Sequence, residues 1–496
     1  MPLSGSTVGE VSELVGGRVI GDAGIRLDDV THDSRMAGPA VLFVAVRGAS
    51  HDGHDFVIAA VDAGSPAVAV ESAQETAAGQ IVVDDTRSAM GPMAARVHGD
   101  PSTDVAVVGV TGTNGKTTVT HYVESLMSHG GRVTGLIGTV RTRVGDTPFP
   151  SVRTTPEATD FQRLLAEMRG LGAEVVAAEV SSHALDMSRV AGTRFEVAAF
   201  TNLSQDHLDF HGTMEAYRGA KERLFQDYDV GTAVINVADP VGADIARWTA
   251  MPTITVGDGG SVQARSVKTS LRGSSFELVT KRGSVPVRSS LIGGFNVENA
   301  LVAAGCCLAL GLTVEEIGEG LGLLDGVPGR FEQVSGDGPV HVIVDYAHTP
   351  GGIEQAISAA RSISDRLVIA VVGAGGDRDR DKRPLMGSAA AKADFVVLTS
   401  DNPRSEDPRK ILAEVASGAG ERPDVMVEVD RRTAIEKAIA LAGPGDVVLI
   451  LGKGHETGQE IEGEVFPFDD REVAREVLAC RAGSAGLTPD SGSMSP

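Results

Sequence analysis

The sequence contains little that is typical of exported, membrane-bound or cysteine-ligated metal proteins. Its 496 residues include only three cysteines, Cys306, Cys307 and Cys480, and none has metal-ligand spacing. We therefore expect buried, reduced thiols in a cytoplasmic protein. No apolar run approaches the roughly 20 residues that cross a bilayer. The N-terminal segment lacks the basic start and apolar stretch of a secretory signal, so we expect neither export nor membrane insertion.

Positive charge is also scarce. The chain has 44 lysines and arginines against 67 aspartates and glutamates, which gives a formal net charge of -23. A nucleic-acid partner is disfavoured, because no basic surplus is present to replace phosphate counterions. The net charge does not argue against a small anionic substrate, since a local cluster of arginines and lysines can reverse the field inside a cleft.

The length and the hydrophobic pattern predict three α/β domains. Residues 1–102 are predicted to form a small mixed α/β domain, and residues 103–331 a P-loop-type ATPase domain with a mainly parallel sheet. Short alternating segments within 261–292 suggest an antiparallel hairpin inserted late in this second domain. Residues 332–482 resemble a doubly wound, Rossmann-like domain. The small, polar segment 483–496 is predicted to be a disordered tail.

The strongest motif is the glycine-containing segment TGTNGKTT, residues 111–118, between an apolar strand at 105–110 and a helix. Its glycines would let backbone N–H groups converge on phosphate oxygens at the start of that helix. Lys116 would reach the β- and γ-phosphates, and the Thr117 hydroxyl would ligate Mg²⁺. Only two residues separate the glycines, against four in the usual P-loop, so this loop is a shortened one.

Two further polar residues follow predicted strands of the second domain. Glu179 closes the strand at 175–180, and His207 follows the strand at 197–203. The carboxyl ends of parallel strands face the ligand crevice, where a Mg²⁺ ion that bridges phosphates needs oxygen ligands. An isolated histidine after a strand is otherwise a hydrogen-bonded loop residue. Its place beside the phosphate loop and Glu179 favours a role at the site.

These motifs together resemble the Mur ligase family, whose shortened TGTNGKT loop is shared by the folylpolyglutamate synthases. The resemblance extends over nearly the whole chain. It implies an ATP-dependent ligase that adds meso-diaminopimelate to UDP-MurNAc-L-Ala-D-Glu through an acyl phosphate, in peptidoglycan precursor synthesis. It also implies ATP, two Mg²⁺ ions and a CO₂-derived carbamate on Lys221 as cofactors. We expect a monomer with small-molecule partners.

The same resemblance implies the nucleotide and metal ligands. ATP would be bound by Gly112, Thr113, Asn114, Gly115, Lys116, Thr117, Thr118, Asn296, Asn299, Arg330 and Asp345. Magnesium would be held by Thr117, Glu179, His207 and carbamylated Lys221, and the catalytic residues would be Lys116, Lys221 and His207. From the residues alone, Lys221 is an ordinary solvated helix lysine and Asn296 a helix N-cap.

The acceptor site is implied in the same way. The matching residues are Ser34, Ala49, Ser50, His51, Thr154, Thr155, Ser181, Met187 and Arg189. Ser34 and the loop at 49–51 match positions that meet uridine and diphosphate, and the others match those that hold the muramoyl-dipeptide portion. Met187 departs from the pattern, because other members can carry a glutamine there that hydrogen-bonds the acceptor.

Specificity for the amino acid is expected in the third domain, where the segment DNPR at 401–404 follows a strand. Meso-diaminopimelate differs from lysine by a second carboxylate, which a guanidinium can bind through two parallel hydrogen bonds. The resemblance implies that the amino acid is bound by Arg378, Asp401, Asn402, Pro403, Arg404, Gly452 and Glu456. Without that context, DNPR would be a common β-turn.

Two alternatives are open. A related ligase could add another amino acid, as the lysine-adding enzymes and folylpolyglutamate synthases do, although the segments DNPR and GKGHE argue against both. A P-loop ATPase without a UDP-linked acceptor is an alternative from another class. It would leave the arginines of the third domain unexplained.

Overall fold

A computed structural model describes residues 5–48, 51–150, 153–336 and 338–485. Within these ranges, apolar strands alternate with helices along most of the chain and form three large sheets in succession. The mixed α/β fold class expected from the sequence is confirmed. No helix in the described ranges combines the length and the apolarity that crossing a bilayer requires.

The first sheet has five strands in the order β2-β7-β6-β5-β4, and all its neighbours are parallel except β2 and β7. A separate antiparallel pair, β1 and β3, lies beside it. The strands are β1 (Ser6–Thr7), β2 (Arg18–Ile20), β3 (Arg26–Leu27), β4 (Asp29–Thr31), β5 (Val41–Val44), β6 (Ala67–Val70) and β7 (Gly79–Val82). The helices are α1 (Val8–Leu14), α2 (Val57–Asp62) and α3 (Thr86–Val97), with short 3₁₀ turns at Ser34–Met36, Gly53–Phe56 and Pro101–Thr103.

The second sheet has eleven strands in the order β11-β10-β9-β12-β8-β13-β14-β15-β16-β17-β18. Its strands are β8 (Ala106–Thr111), β9 (Thr134–Ile137), β10 (Thr142–Val144), β11 (Thr147–Pro148), β12 (Val175–Glu179), β13 (Phe195–Phe200), β14 (Val230–Asn236), β15 (Thr253–Val256), β16 (Val262–Ser270), β17 (Gly273–Thr280) and β18 (Gly283–Ser289). The helices are α4 (Lys116–His129), α5 (Ala158–Gly170), α6 (Ser182–Asp186), α7 (Leu208–His211), α8 (Met214–Gln226), α9 (Pro240–Trp248), α10 (Gly294–Ala309) and α11 (Val314–Gly320).

The central strands of this sheet are parallel and apolar because helices cover both of their faces. One face packs against α4 and α10, which contribute Tyr122 and Cys306 to its core. The other face packs against α5 and α8, through residues such as Phe161 and Leu224. This arrangement leaves the carboxyl ends of β8, β12 and β13 side by side, where the loops that follow them can form one site.

The segment at 261–292 differs from its prediction. It forms three antiparallel strands, β16 to β18, and not a single hairpin. These strands continue the second sheet, since β16 pairs with β15 through Val256 and Val262.

The third sheet has six strands in the order β19-β20-β24-β21-β22-β23, parallel except at β19, and a small hairpin, β25 with β26, stands apart from it. The strands are β19 (Glu332–Gln333), β20 (His341–Asp345), β21 (Val368–Val372), β22 (Phe395–Leu398), β23 (Val425–Val427), β24 (Val447–Leu451), β25 (Gly458–Ile461) and β26 (Glu464–Pro467). The helices are α12 (Pro350–Ile363), α13 (Lys382–Ala390), α14 (Pro408–Ala419), α15 (Arg431–Leu441) and α16 (Asp470–Ala485). Helix α16 extends past residue 482, so residues 483–485 are helical, and residues 486–496 of the expected tail lie outside the described residues.

A buried ion pair joins α15 to α16 at the carboxyl ends of β22 and β24 in the third sheet. Arg431 and Asp470 have fully buried side chains, and Nη2 of the arginine lies 2.6 Å from Oδ2 of the aspartate. The guanidinium also donates to the carbonyl oxygens of Ser400 and Leu451. The pair therefore holds two helices against the ends of two strands.

Replacing Arg431 with methionine should lower the free energy of unfolding by about 3–5 kcal/mol, because Asp470 would be left as an uncompensated buried charge. Arg432→Met is the matched control, since Arg432 forms an exposed ion pair with Glu476 that contributes about 1 kcal/mol or less. Urea-induced unfolding followed by circular dichroism measures both changes. Equal losses in the two variants would contradict the expectation.

Candidate active site

The loop between β8 and α4 has the conformation of a phosphate-binding loop. Gly112 and Gly115 have φ angles of 142° and 87°, which disfavour residues with a side chain. An added Cβ would also lie 1.9 Å from Thr201 Oγ1 at Gly112, and 2.2 Å from Asn299 Oδ1 at Gly115. Both glycines are therefore required by close contacts as well as by the backbone.

Lys116 begins α4 and folds back over this loop. Its ammonium donates to the carbonyl oxygens of Gly112 and Thr113, each at 2.8 Å. Burial lowers the pKa of Lys116, while the charge of Glu179 opposes that shift. The ammonium is thus held at the point where the predicted phosphates would lie.

Lys221 is buried beneath the same loop. Its ammonium donates to the Gly112 carbonyl oxygen at 2.8 Å and lies 4.4 Å from the centre of the Tyr217 ring. Burial, followed by the charge of Lys116, places the pKa of Lys221 well below its usual value. The alternative interpretation as a solvated surface lysine is therefore wrong. A buried amine of low pKa has access to its neutral, nucleophilic form.

Glu179 ends β12 and points its carboxylate at the helix start. Oε2 accepts hydrogen bonds from the Thr117 hydroxyl at 3.0 Å and the Thr139 hydroxyl at 3.1 Å, and Oε1 accepts from the Thr139 backbone N–H at 2.8 Å. The hydroxyl and the carboxylate are hard oxygen donors of the kind that Mg²⁺ prefers. Within the described ranges, no group of three or more histidine, cysteine, aspartate or glutamate residues could hold a metal ion.

Asp206 connects the second sheet to elements of the third. Its carboxylate lies 3.3 Å from Nε2 of His207, 3.9 Å from Nε2 of His348 and 3.9 Å from Nζ of Lys382. Burial lowers the pKa of His207 to about 3, so the imidazole is neutral and can act as a ligand near neutral pH. Asp206 was missed by the sequence analysis, although it directly precedes His207.

Asn296 is not the N-cap of α10, as its local sequence suggested. The helix begins at Gly294, with Gly293 as its N-cap, and Asn296 lies within the first turn. Its Nδ2 donates to the Ile292 carbonyl oxygen, and its Oδ1 accepts from Nδ2 of Asn299 at 3.1 Å. Asn296 therefore orients Asn299, which lies directly against Gly115 of the phosphate loop.

Arg330 and Asp345 bring the third sheet to the phosphate loop. Nη2 of Arg330 donates to the Thr117 hydroxyl at 2.9 Å, and its guanidinium lies 4.6 Å from the centre of the Tyr346 ring. Asp345 is partly buried and accepts from the backbone N–H of Phe331 and Ala347, and desolvation raises its pKa. The cleft between the sheets has a cavity of about 210 Å³, and its lining includes Lys116, Thr117, Glu179, His207, Asn299, Arg330 and Asp345.

The expected acceptor residues of the second domain lie beside Glu179. The Thr154 hydroxyl lies 3.0 Å from the Thr139 hydroxyl, and the Thr155 hydroxyl donates to the Glu179 carbonyl oxygen at 2.8 Å. The Ser181 hydroxyl caps α6 by accepting from the Ala184 N–H. These hydroxyls therefore form one polar edge that leads away from the phosphate loop.

Arg189 continues this edge. Its Nε lies 3.0 Å from Oε1 of Glu157, and its Nη2 donates to the Met187 sulfur at 3.3 Å. Arg87 of α3 approaches the same glutamate at 3.5 Å, so this carboxylate connects the first and second sheets. The thioether of Met187 thus contacts the guanidinium that is expected to meet the acceptor.

The remaining acceptor candidates lie in the first domain. Ser34 begins a 3₁₀ turn whose N-cap is Asp33. His51 is exposed after β5, and its ring lies 6.4 Å from that of Phe56. Ala49 and Ser50 lie outside the described residues.

Arg404 is held in a strained conformation with a φ of 53°. Its backbone N–H donates to the Glu460 carbonyl oxygen, and its own carbonyl accepts from the Glu462 N–H. In the side chain, Nη1 donates to the Gly376 carbonyl oxygen at 2.7 Å, and Nε lies 3.1 Å from Oε2 of Glu460. The hairpin of β25 and β26, which was not predicted, therefore fixes the direction of this guanidinium.

Four other diaminopimelate candidates meet around the end of β24. Nδ2 of Asn402 donates to Oε2 of Glu456 at 2.9 Å, and Asp401 is buried. A Cβ added to Gly452 would lie 2.5 Å from Oδ2 of Asp401, and its φ is 119°. The fully buried Lys453, which was not predicted, donates to both Asn402 and Glu456.

Arg378 and Pro403 flank this group. Arg378 is exposed in the loop after β21, and Pro403 is buried. Arg383 at the start of α13, which was also missed, forms ion pairs with Glu406 and Glu414 and donates to the Gly375 carbonyl oxygen. Its guanidinium lowers the pKa of Glu406 to about 2. This buried pairing holds the loop after β21 close to the segment that carries Arg404.

Three family models match the sequence in succession. The model described as "Mur ligase family, catalytic domain" matches residues 26–98, and "Mur ligase middle domain" matches residues 110–307. The model described as "Mur ligase, glutamate ligase domain" matches residues 329–454.

Relatives of similar length share much of the sequence. The UDP-N-acetylmuramoyl-L-alanyl-D-glutamate–2,6-diaminopimelate ligase of Geobacillus thermodenitrificans is 47% identical over 454 residues, which cover 89% of this chain and 93% of that protein. The ligases of the same name from Aquifex aeolicus and Streptomyces coelicolor are each 44% identical, over 91% and 92% of this chain and 94% and 93% of those proteins.

Solved structures share the fold. A structure of a UDP-N-acetylmuramoyl-L-alanyl-D-glutamate–2,6-diaminopimelate ligase is 33% identical, with a TM-score of 0.70, and covers 96% of this chain and 99% of that one. MurF ligase from Thermotoga maritima, in complex with ADP, has a TM-score of 0.65 at 21% identity and covers 91% of this chain and 98% of that one. The second similarity concerns the fold alone.

Replacing Thr117 with valine should weaken the binding of magnesium and a nonhydrolysable ATP analogue by about 10- to 100-fold. The hydroxyl contacts both Glu179 and Arg330, and a hydrogen bond to a charged group contributes about 1.5–3 kcal/mol. Thr120→Val is the matched control, because that buried hydroxyl donates to the Thr117 carbonyl oxygen on the same helix. Calorimetric titration should give a near-normal affinity for the control, and equal affinities of both variants would contradict the assignment.

Proposed function

The chain belongs to the Mur ligase family, and we propose that it joins meso-diaminopimelate to the terminal carboxylate of UDP-MurNAc-L-Ala-D-Glu at the expense of ATP. The relatives that carry this activity in their names are 44–47% identical over about nine-tenths of the chain. The product would be a peptidoglycan precursor. We propose a cytoplasmic location, because both the phosphate donor and the acceptor are nucleotides.

The observation that carries the proposed amino-acid specificity is that the loop that follows β22 carries a guanidinium, Arg404, and also contacts the carboxylate of Glu456. Arg404 has its direction fixed by Gly376 and Glu460, and Glu456 lies beside Asn402 of the same loop. A planar guanidinium can bind a carboxylate through two parallel hydrogen bonds, and Glu456 offers a partner for an ammonium group. Lysine lacks the second carboxylate, so Arg404 would be left without its ligand.

The proposed reaction has two steps. A carboxylate oxygen of the acceptor attacks the γ-phosphorus of ATP, ADP leaves, and an acyl phosphate forms. The amine nitrogen of diaminopimelate then attacks the acyl carbon, inorganic phosphate leaves, and the nitrogen loses a proton as the peptide bond forms. Neither step needs a covalent bond to the protein, so positioning and charge neutralisation would supply most of the rate.

Lys116 would neutralise charge on the transferred phosphoryl group from its place above the loop. Thr117 and Glu179 would hold one of two proposed magnesium ions, and His207 with Lys221 would take part in holding the second. Bound magnesium would neutralise phosphate charge and polarise the phosphoryl group. Arg330 contacts the Thr117 hydroxyl and would therefore approach the same phosphates.

Carbamylation of Lys221 is proposed from the burial of its amine. The neutral amine can attack CO₂, and loss of one proton then leaves an anionic carbamate on Nζ. A carbamate would supply oxygen ligands that an ammonium cannot offer. It would also replace the repulsion between Lys221 and Lys116 with an attraction.

The decisive test of the function is ADP release by the purified protein with magnesium, ATP and UDP-MurNAc-L-Ala-D-Glu, compared between meso-diaminopimelate and L-lysine. We expect release to need the acceptor and to prefer diaminopimelate strongly. Arg404→Lys should lower kcat/KM for diaminopimelate by about 100-fold, since it removes a bidentate, charge-assisted contact.

Arg409→Lys is the control for this substitution, because Arg409 is exposed at the start of α14. A preference for lysine would overturn the proposed specificity and leave the ligase activity in place. Release of ADP that ignores both substrates would overturn the ligase proposal and favour an ATPase with another partner.

Carbamylation of Lys221 can be tested separately. Lys221→Ala should lower the rate by at least roughly 100-fold, because the ligand site and the phosphoryl group would lose their alignment. Added acetate or propionate should restore part of the rate, since a small carboxylate can occupy the cavity of the missing side chain. Lys116→Ala is the control and should not respond to these anions. Failure of rescue, together with a mass of the native protein that never includes a carbamate in bicarbonate buffer, would argue against the modification.

A further inference from the structure

A fully buried lysine lies between the two segments that are proposed to recognise the amino acid. Lys453 is in the loop after β24, and its side chain has an exposure of 0%. Its ammonium donates to Oδ1 of Asn402 at 3.0 Å and to Oε2 of Glu456 at 2.8 Å. Burial of an ammonium is costly unless it is paired and hydrogen-bonded. The hydrogen bonds to Asn402 and Glu456 therefore allow Lys453 to be buried here.

The three side chains form a closed ring of hydrogen bonds. Besides the two bonds from Lys453, Nδ2 of Asn402 donates to the same Oε2 of Glu456 at 2.9 Å. Oδ1 of Asn402 also accepts from the backbone N–H of Glu460 at 3.0 Å. Since the ammonium can only donate, the ring determines which side of the amide faces Lys453 and which faces Glu456. The ring thereby fixes the loop that carries Asn402 relative to the carboxylate of Glu456.

We infer that Lys453 is a positioning residue for recognition of the amino acid. Its ammonium holds Asn402 and Glu456 together, so that Arg404 and Glu456 are presented to one carboxylate and one ammonium group of the same ligand. Asn402 and Lys453 both donate to Oε2 of Glu456, and we assign Oε1 to the ligand. This inference rests on the proposed function of the site.

A purely structural role would give a different result. If the pair of Lys453 and Glu456 only stabilised the third sheet, breaking it would lower the free energy of unfolding and change KM for all three substrates alike. A positioning role acts on one substrate, because only the amino acid would be bound by the loop of Arg404 and by Glu456. The two roles therefore separate in the pattern of KM values.

The test is Lys453→Met in the full-length protein, which removes the ammonium and keeps an unbranched chain of similar length. We expect KM for meso-diaminopimelate to rise about tenfold or more, and the preference over L-lysine to fall, because the buried Asn402 and the half-buried Glu456 lose a charged donor. KM for ATP and for the acceptor should stay within about twofold. Lys437→Met is the control, because Lys437 is partly exposed in the same domain and pairs with Glu428.

A double variant keeps the test decisive if Lys453→Met fails to fold. Lys453→Met combined with Glu456→Gln removes both charges of the ring, and it is compared with Glu456→Gln alone. If Lys453 acts through Glu456, the added substitution should change KM for diaminopimelate little. A full further loss would overturn the inference.

The outcomes separate this inference from the function on which it rests. A wild-type protein without diaminopimelate-dependent activity would overturn the proposed function. A wild-type preference for diaminopimelate that Lys453→Met leaves intact would overturn only the positioning role. An equal rise of all three KM values with a lower melting temperature would also overturn it.

Discussion

The contact between Arg330 and Thr117 determines how the third sheet meets the phosphate loop. Thr117 lies in the first turn of α4, and its hydroxyl is shared by the Arg330 guanidinium and the Glu179 carboxylate. Arg330 also packs on Tyr346, which directly follows β20. The end of β12, the first turn of α4 and the segment before β19 therefore converge on one hydroxyl. A ligand in this cleft would contact residues from both the second and the third sheet, and each of these sheets has its own hydrophobic core.

Features that depend on local pattern were predictable from the sequence. The buried strands are continuous apolar runs, and the phosphate loop has its glycines where φ and close contacts both favour a residue without a side chain. The alternation of apolar strands with helices along the chain predicted the α/β fold class, and this prediction is confirmed. The assignments of individual site residues rested on resemblance to the family, and they stay predictions until ligands are measured.

Features that depend on distant contacts could not be predicted in the same way. Asn296 has the local sequence of an N-cap, but its partner is Asn299 and the helix begins two residues earlier. Lys221 has polar neighbours in sequence, yet its partner Gly112 lies more than a hundred residues away. Lys453 was overlooked because nothing in its local sequence shows that Asn402 would be its acceptor. For Lys221 and Lys453 the deciding atom belongs to another element, whereas Asn296 was assigned wrongly for a local reason, since its partner Asn299 lies on the same helix.

The strained backbone of Arg404 has a consequence for the entropy of binding. Both its N–H and its carbonyl are bonded to the β25–β26 hairpin, and its side chain is already directed by Gly376 and Glu460. The rotational freedom of this long side chain is therefore lost when the domain folds, not when the ligand arrives. Recognition of the proposed amino acid, a small zwitterion that can offer few contacts, would be strengthened because this side chain has already lost that freedom.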